Sequence, residues 1–117
     1  MAASGWEDTK SVNMKYLIAV DEGTTSTRAM LFDIEKGAFV KSASMPIRQF
    51  YPEPEFVEED AEEIYTKTKI VLDEMIDFAG AKNVLGIGVT NQRETVVFFD
   101  KRTGKPVRRA IVWQCRR

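Results

Sequence analysis

Between Asp60 and Gly80 the sequence carries one amphipathic helix, and on both sides of it the apolar residues fall into short runs that read as strands. One helix set among many strands constrains the fold more than any other feature. The helix is punctuated at both ends: Asp60 suits the N-cap, Glu63 stands three residues on in a capping-box position, and Gly80 follows the last turn. Ala61, Ile64, Tyr65, Thr68, Val71, Leu72, Met75, Ile76 and Ala79 recur at helical spacing, so that face is directed to a core. Acidic residues in the first turn suit the helix dipole.

Upstream of the helix, residues 14–20, 27–34 and 38–47 read as three closely spaced strands, an antiparallel meander. The turn Glu35-Lys36-Gly37 places glycine where a positive φ is often required. Residues 51–56 hold two prolines, which lack the ladder donor, so this stretch is a connecting loop. Downstream, residues 84–89 form a compact apolar run, read as a central strand parallel to the first, whose glycines imply close approach of another backbone. Residues 95–99 and 107–113 read as a hairpin around 100–105. The fold class is α/β, with a mixed sheet and one main helix. One helix covers one face of such a sheet, and residue 117 follows directly on a strand. The expectation is therefore the first part of a larger domain, preceded by a flexible leader at residues 1–14.

Composition removes several classes of function. With 44% hydrophobic and 30% charged residues the chain is not disordered by composition. Seventeen basic against eighteen acidic residues create no global field for nucleic acid or an anionic membrane. The charges are nevertheless segregated: seven acidic and no basic residues lie between Glu53 and Glu63, and seven basic and no acidic residues from Lys101 onward. The basic stretch is interleaved with a strand pattern, which favours a solvated face with a few specific arginines over a nucleic-acid patch. There is no histidine, which excludes Ser-His-Asp and Cys-His nucleophile systems, and Cys115 is the only cysteine, which excludes an intrachain disulfide or a thiolate zinc cluster. Apolar runs fall short of the ~20 residues of a membrane helix, and the leader lacks a secretory pattern. The expected protein is soluble and cytoplasmic, with no nucleic-acid partner and no membrane insertion.

Three segments carry chemistry. In Asp21-Glu22-Gly23-Thr24-Thr25-Ser26-Thr27-Arg28, the glycine lets a backbone come close to a ligand, Thr24, Thr25 and Ser26 offer donors, and Arg28 offers a guanidinium fork, a set that suits phosphate oxygens. Asp21, at a strand end, suits Mg²⁺ held through retained waters. In Thr90-Asn91-Gln92-Arg93-Glu94, Arg93 supplies donors and Glu94 acceptors side by side, as recognition of neighbouring hydroxyls on a polyol requires. In Ile111-Val112-Trp113-Gln114-Cys115-Arg116-Arg117, Trp113 can pack on the CH face of a sugar or polyol, and the two arginines suit acidic partners outside this chain. Each segment also has a plain reading: a hairpin turn, an exposed turn with a surface ion pair, a tryptophan of the core or sheet surface.

Taken together with Tyr-Pro-Glu-Pro-Glu-Phe-Val-Glu-Glu-Asp at 51–60 and Thr-Gly-Lys-Pro at 103–106, these segments resemble, in order, the beginning of glycerol kinases. Those enzymes are carbohydrate kinases with the RNase H-like, actin-like ATPase fold. The resemblance runs over residues 15–117 and implies the N-terminal part of the first actin-like domain. It implies that Thr24, Thr25, Ser26 and Arg28 contact nucleotide phosphates, that Asp21 helps hold Mg²⁺, and that Arg93, Glu94 and Trp113 bind glycerol. The implied reaction is transfer of the γ-phosphoryl of Mg²⁺-ATP to glycerol, giving sn-glycerol 3-phosphate, by a homo-oligomer when full length. The family's catalytic aspartate and adenosine-binding domain lie beyond residue 117, so no catalytic base is expected in this segment and no turnover from it alone. Glu22 departs from the family's usual glutamine and adds negative charge beside the phosphate loop. The alternatives are a related kinase for another polyol or sugar, and a non-enzymatic nucleotide- or protein-binding module.

Overall fold

The computed structural model describes residues 14–116, so the expected leader lies largely, and Arg117 entirely, outside the described residues. Three strands open the chain, β1 (Tyr16–Glu22), β2 (Ser26–Asp33) and β3 (Ala38–Pro46), joined antiparallel as the meander expected from their spacing. The β2–β3 turn closes on Gly37 at φ 66°, with its N–H donated to the Asp33 carbonyl at 2.8 Å. Two short strands, β4 (Gln49–Phe50) and β5 (Glu58–Glu59), flank the proline-bearing loop. Helix α1 (Ala61–Ala79) follows, then a single 3₁₀ turn, β6 (Val84–Thr90) and finally β7 (Ala110–Ile111). None of the described helices is long and apolar enough to cross a membrane.

The strands form two sheets. The larger has the order β3-β2-β1-β6, with β6 parallel to β1. Alternation in β1 and β2 sends Tyr16, Ile18, Val20, Ala29 and Leu31 to one face, where they meet Val71, Met75 and Ala79 of α1. Leu31 and Met75 are fully buried, and burial of such a side chain stabilises by about 1.5–3 kcal/mol. On the far face Leu17, Phe32 and Phe39 stay partly or largely exposed, the last two in edge-to-face contact at 5.2 Å between ring centres. One helix thus covers one face of the described sheet, as its single occurrence in the sequence implies.

The second sheet, β4-β5-β7, is antiparallel; β7 lies within the strand expected at 107–113, whereas β4 and β5 have no counterpart among the expected elements. Two-residue strands lie below the length at which hydrophobic alternation can be read. The hairpin expected from 95–99 and 107–113 exists, but as the separate bridges Val96–Ile111 and Phe99–Pro106, because Ile111 also serves β5. Strand β6 is an edge strand among the described residues, and apart from its β1 partner strand no backbone stands within 4 Å of where a Cβ would project from Gly86 or Gly88.

Helix α1 keeps its expected limits with two changes. Asp60 accepts from the Glu62 and Glu63 N–H groups at 2.9 and 3.4 Å, but the Glu63 side chain does not return to Asp60. It instead accepts from the Arg48 N–H at 3.0 Å and from Lys67 at 2.7 Å, so half of the capping box is traded for a tie to the preceding strand region. Burial alone would raise the Glu63 carboxyl, yet these donors hold it below its ordinary value. Tyr65, placed on the core face by its spacing, is instead 69% exposed and lines a surface groove with Val97 and Phe99.

Candidate functional site

Strands β1 and β6 run parallel and end side by side, so the loops that follow them open on the same edge of the sheet, where α/β folds place ligands. Between these loops lies a cleft of about 310 Å³, at the small end of the ~300–1,000 Å³ typical of ligand sites. Its walls are Glu22, Gly23, Thr24, Asn91, Gln92, Arg93, Glu94 and Trp113. Four of the residues singled out in the sequence therefore meet here: Thr24, Arg93, Glu94 and Trp113. Asp21, Thr25, Ser26 and Arg28 stand outside this lining, Thr25 in the loop and the others on the adjoining ends of β1 and β2.

The first loop is held by its own backbone. Gly23 donates to the Ser26 carbonyl at 2.9 Å, and a Cβ at position 23 would sit 2.9 Å from that oxygen. The close approach that demands glycine is thus to the loop itself and not to a ligand. The Thr25 carbonyl accepts from Ile47 at 2.8 Å, which fastens the loop to the end of β3. Glu22, expected to burden the phosphate loop with charge, turns its carboxylate to hydroxyls: Oε1 accepts from Thr27, and Oε2 accepts from Thr68 of α1 at 2.6 Å.

Asp21 and Arg28 are register partners on β1 and β2 and form an ion pair at 3.5 Å, both about half exposed. Thr90, the partner of Asp21 on β6, donates to Asp21 Oδ1 at 3.1 Å. Among the described residues no cluster of three carboxylate, cysteine or histidine ligands occurs. One carboxylate at a strand end fits a cation held mostly through water, and Asp21 is the residue present for that role.

On the opposite wall the turn after β6 places Glu94 at φ 56°, in the left-handed region that non-glycine residues seldom occupy. Such a conformation costs on the order of 1 kcal/mol or more and tends to occur where a side chain must be aimed. Arg93 and Glu94 form no ion pair with each other or with other described residues, unlike most of the charged groups around them. Both line the cleft, and among the described residues their side-chain donors and acceptors are unspent. Trp113, 53% exposed, donates its indole N–H to Thr24 Oγ1 at 2.8 Å. That bond makes Thr24 an acceptor from tryptophan and leaves its own hydroxyl proton for another oxygen.

Two residues not singled out from sequence tie the walls together. Glu59, fully buried, accepts from Gln92 Nε2 at 3.1 Å and from Gln49 Nε2 at 3.3 Å. Burial raises its carboxyl above the ordinary value; both hydrogen bonds pull the other way, and the charge of Glu63 adds to the rise. Gln92 Nε2 also donates to the Gly23 carbonyl at 3.0 Å. Glu59 stands in the middle of the acidic run at 53–63, beside the also buried Glu58, and the sequence alone does not tell which acids of the run are buried. The last segment also differs from expectation: Arg116 pairs within the chain, loosely, with Glu55 at 3.8 Å.

Comparison with known proteins follows the same lines. The model of the N-terminal domain of the FGGY family of carbohydrate kinases matches residues 16–117. The chain is 51% identical over 106 residues to glycerol kinase 2 of Thermotoga maritima and 50% identical over 105 residues to glycerol kinase of Caldanaerobacter subterraneus subsp. tengcongensis. These alignments cover 89% and 88% of this chain but 21% of each relative, so the chain spans about a fifth of their length. Among solved structures it is similar to Plasmodium falciparum glycerol kinase with ADP (TM-score 0.78, 35% identity, 89% of this chain and 21% of that one). It is equally similar in shape to xylulose kinase from Rhodospirillum rubrum (TM-score 0.79, 33% identity, 88% and 21%).

Proposed function

The chain belongs to the FGGY family of carbohydrate kinases, and from that premise we propose that it forms the N-terminal part of a cytoplasmic, homo-oligomeric kinase that phosphorylates glycerol with Mg²⁺-ATP. The observation that carries this reading is the unspent pair Arg93 and Glu94, lining one cleft with Trp113 and Thr24. A polyol has adjacent hydroxyls, each both donor and acceptor. Arg93 donates to them, Glu94 accepts from them, and the exposed indole face covers the carbon chain.

On this reading Thr24, Thr25 and Ser26 face the nucleotide phosphates, with the Thr24 proton already turned away from Trp113. Arg28 supplies a positive charge from the neighbouring strand, and Asp21 stands beside it for the metal shell. Mg²⁺-ATP, when bound, supplies the phosphoryl group and neutralises the charge that develops on it. The residues of this chain then act by position: they bring an acceptor hydroxyl and a phosphate to the same edge of the sheet. The base that takes the hydroxyl proton and the adenosine-binding domain belong, in this proposal, to the rest of the longer protein.

The test is Arg93→Ala in that longer protein. Loss of a charge-assisted hydrogen bond worth about 1.5–3 kcal/mol predicts a glycerol KM raised roughly 10-fold or more, with the ATP KM little changed. An unaltered glycerol KM overturns the assignment. A second reading, a kinase for a different polyol or sugar, is favoured by the equal structural likeness to the xylulose kinase, and a panel of acceptors separates the two.

A further inference from the structure

The amide of Gln92 has every one of its hydrogen-bonding functions engaged. Its Nε2 carries two protons, one directed at the Gly23 carbonyl (3.0 Å) and one at Glu59 Oε1 (3.1 Å), while its Oε1 accepts from the Thr95 hydroxyl at 2.6 Å. A flip of the amide would set its oxygen against a carbonyl and a carboxylate at once, so only one orientation is viable. Glu59, in turn, is fixed in place: it is fully buried in β5, next to the helix N-cap, and is held from its other side by Gln49. Gln92 therefore spans three elements. It stands in the turn after β6, one residue before Arg93, and reaches the loop after β1 from a fixed base in the second sheet.

We propose that Gln92, seated on Glu59, is a positioning residue that sets the distance between the Gly23–Ser26 loop and the Arg93–Glu94 turn, and so between the phosphate donor and its acceptor hydroxyl. The inference rests on the kinase reading for its catalytic consequence, but the geometry it describes is independent of which acceptor is used. Without the Gln92 donor, the Gly23 carbonyl loses its tie to the opposite wall. The loop then keeps its internal Gly23–Ser26 bond, the Ile47–Thr25 bond to the end of β3 and the Trp113 bond to the Thr24 hydroxyl, none of which holds the Gly23 carbonyl.

The decisive experiment is a polarity swap in the longer protein that carries this segment. Gln92→Leu removes both donors. The double variant Glu59→Gln/Gln92→Glu restores the contact between positions 59 and 92 in reverse. The amide introduced at position 59 donates to the carboxylate introduced at position 92, and its oxygen accepts from Gln49. The swap leaves the Gly23 carbonyl without a donor. Two readouts are taken: hydrogen exchange of the Gly23 and Ile47 amides, and the ATP and acceptor KM values. Loss of one net hydrogen bond corresponds to a change of about 5-fold.

For Gln92→Leu the expected result is faster exchange at Gly23 and Ile47 by about that factor, with β2 amides unchanged, and a raised KM for ATP as well as for the acceptor. For the double variant the thermal midpoint returns towards that of the parent, while loop exchange stays fast and the ATP KM stays raised. If the double variant restores exchange and ATP KM together with the midpoint, Gln92 only packs against Glu59 and the proposal falls. It falls equally if Gln92→Leu leaves loop exchange unaltered. Failure of the parent protein to phosphorylate glycerol would overturn the functional reading alone, since the exchange readout stands without it.

Discussion

The two sheets of this molecule are held together by different forces. The larger, β3-β2-β1-β6, rests on apolar burial: Ile18, Val20, Leu31, Val71 and Met75 leave almost nothing to solvent. The smaller, β4-β5-β7, has six strand residues, of which two are glutamates. Besides the buried Val57, Ala110 and Val112, it rests on charged and polar contacts. Glu58, nearly buried, pairs with Arg108 at 2.8 Å and Arg109 at 3.1 Å. The Phe50 ring has the Arg48 guanidinium 4.5 Å and the Arg109 guanidinium 4.0 Å from its centre, a cation–π arrangement. The acidic run at 53–63 and the basic run from 101 onward, separate in sequence, thus meet in space: Glu58 with Arg108 and Arg109, Glu62 with Lys105, Glu55 with Arg116. A near-zero net charge therefore conceals a docking of one charged segment on another.

That contrast can be tested one sheet at a time, with amide hydrogen exchange as a common readout. The largest effect belongs to the apolar sheet. Met75→Ala should cost about 2–5 kcal/mol through lost burial and a cavity, and it should lower protection throughout β1, β2 and α1 together. Glu58→Ala should act more weakly and locally. Removing one hydrogen-bonded carboxylate costs about 1–3 kcal/mol, with the arginine partners half exposed and able to rehydrate. Protection should fall at 110–112 and around Gln49–Phe50 while β1 and β2 keep theirs. If Glu58→Ala unfolds the larger sheet as well, the two sheets form one cooperative unit and the comparison fails.

The smallest effect is one of pH. The Glu63 carboxyl is held below its ordinary value in the fold, so its contribution is present above the unfolded value near 4.5 and is lost as pH falls through the lowered folded value. Glu59 has the opposite sign: with its carboxyl raised, its contribution is full below 4.5 and is lost as pH rises through the raised folded value. Glu63→Gln should therefore flatten the acid limb of a plot of thermal midpoint against pH, and Glu59→Gln the limb just above 4.5. An unchanged acid limb in the Glu63 variant would mean that other carboxylates govern it.

How far the sequence disclosed this structure depends on the same division. Alternation in residues 16–33 and the spacing of Val71, Met75 and Ala79 are signals of burial, and burial decides the larger sheet. Strand β5 gives no such signal, because its partners are chosen by arginines some fifty residues away and by Gln49. The candidate cleft is partly legible. Residue type and motif single out Thr24, Arg93, Glu94 and Trp113, and the structure brings them to one cavity. The Asp21–Arg28 pair has no sequence signal, since it depends on strand register, and neither has Gln92, whose importance lies in two contacts made across the fold.

The parallel pairing of β1 with β6 has a consequence for the order in which the molecule assembles. The meander β1-β2-β3 closes through turns of a few residues, whereas Ile18 must find Ile87 across nearly the whole helix-bearing segment. Loop closure grows costlier by only about 0.6 kcal/mol per doubling of length, but long-range contacts still form late because local ones are rewarded first. The cleft lies at the ends of β1 and β6 and is tied by Gln92 to β5. Its two walls come from the earliest and the latest parts of the chain to be organised, so ligand-binding geometry is a late event in folding and a sensitive report of its completion.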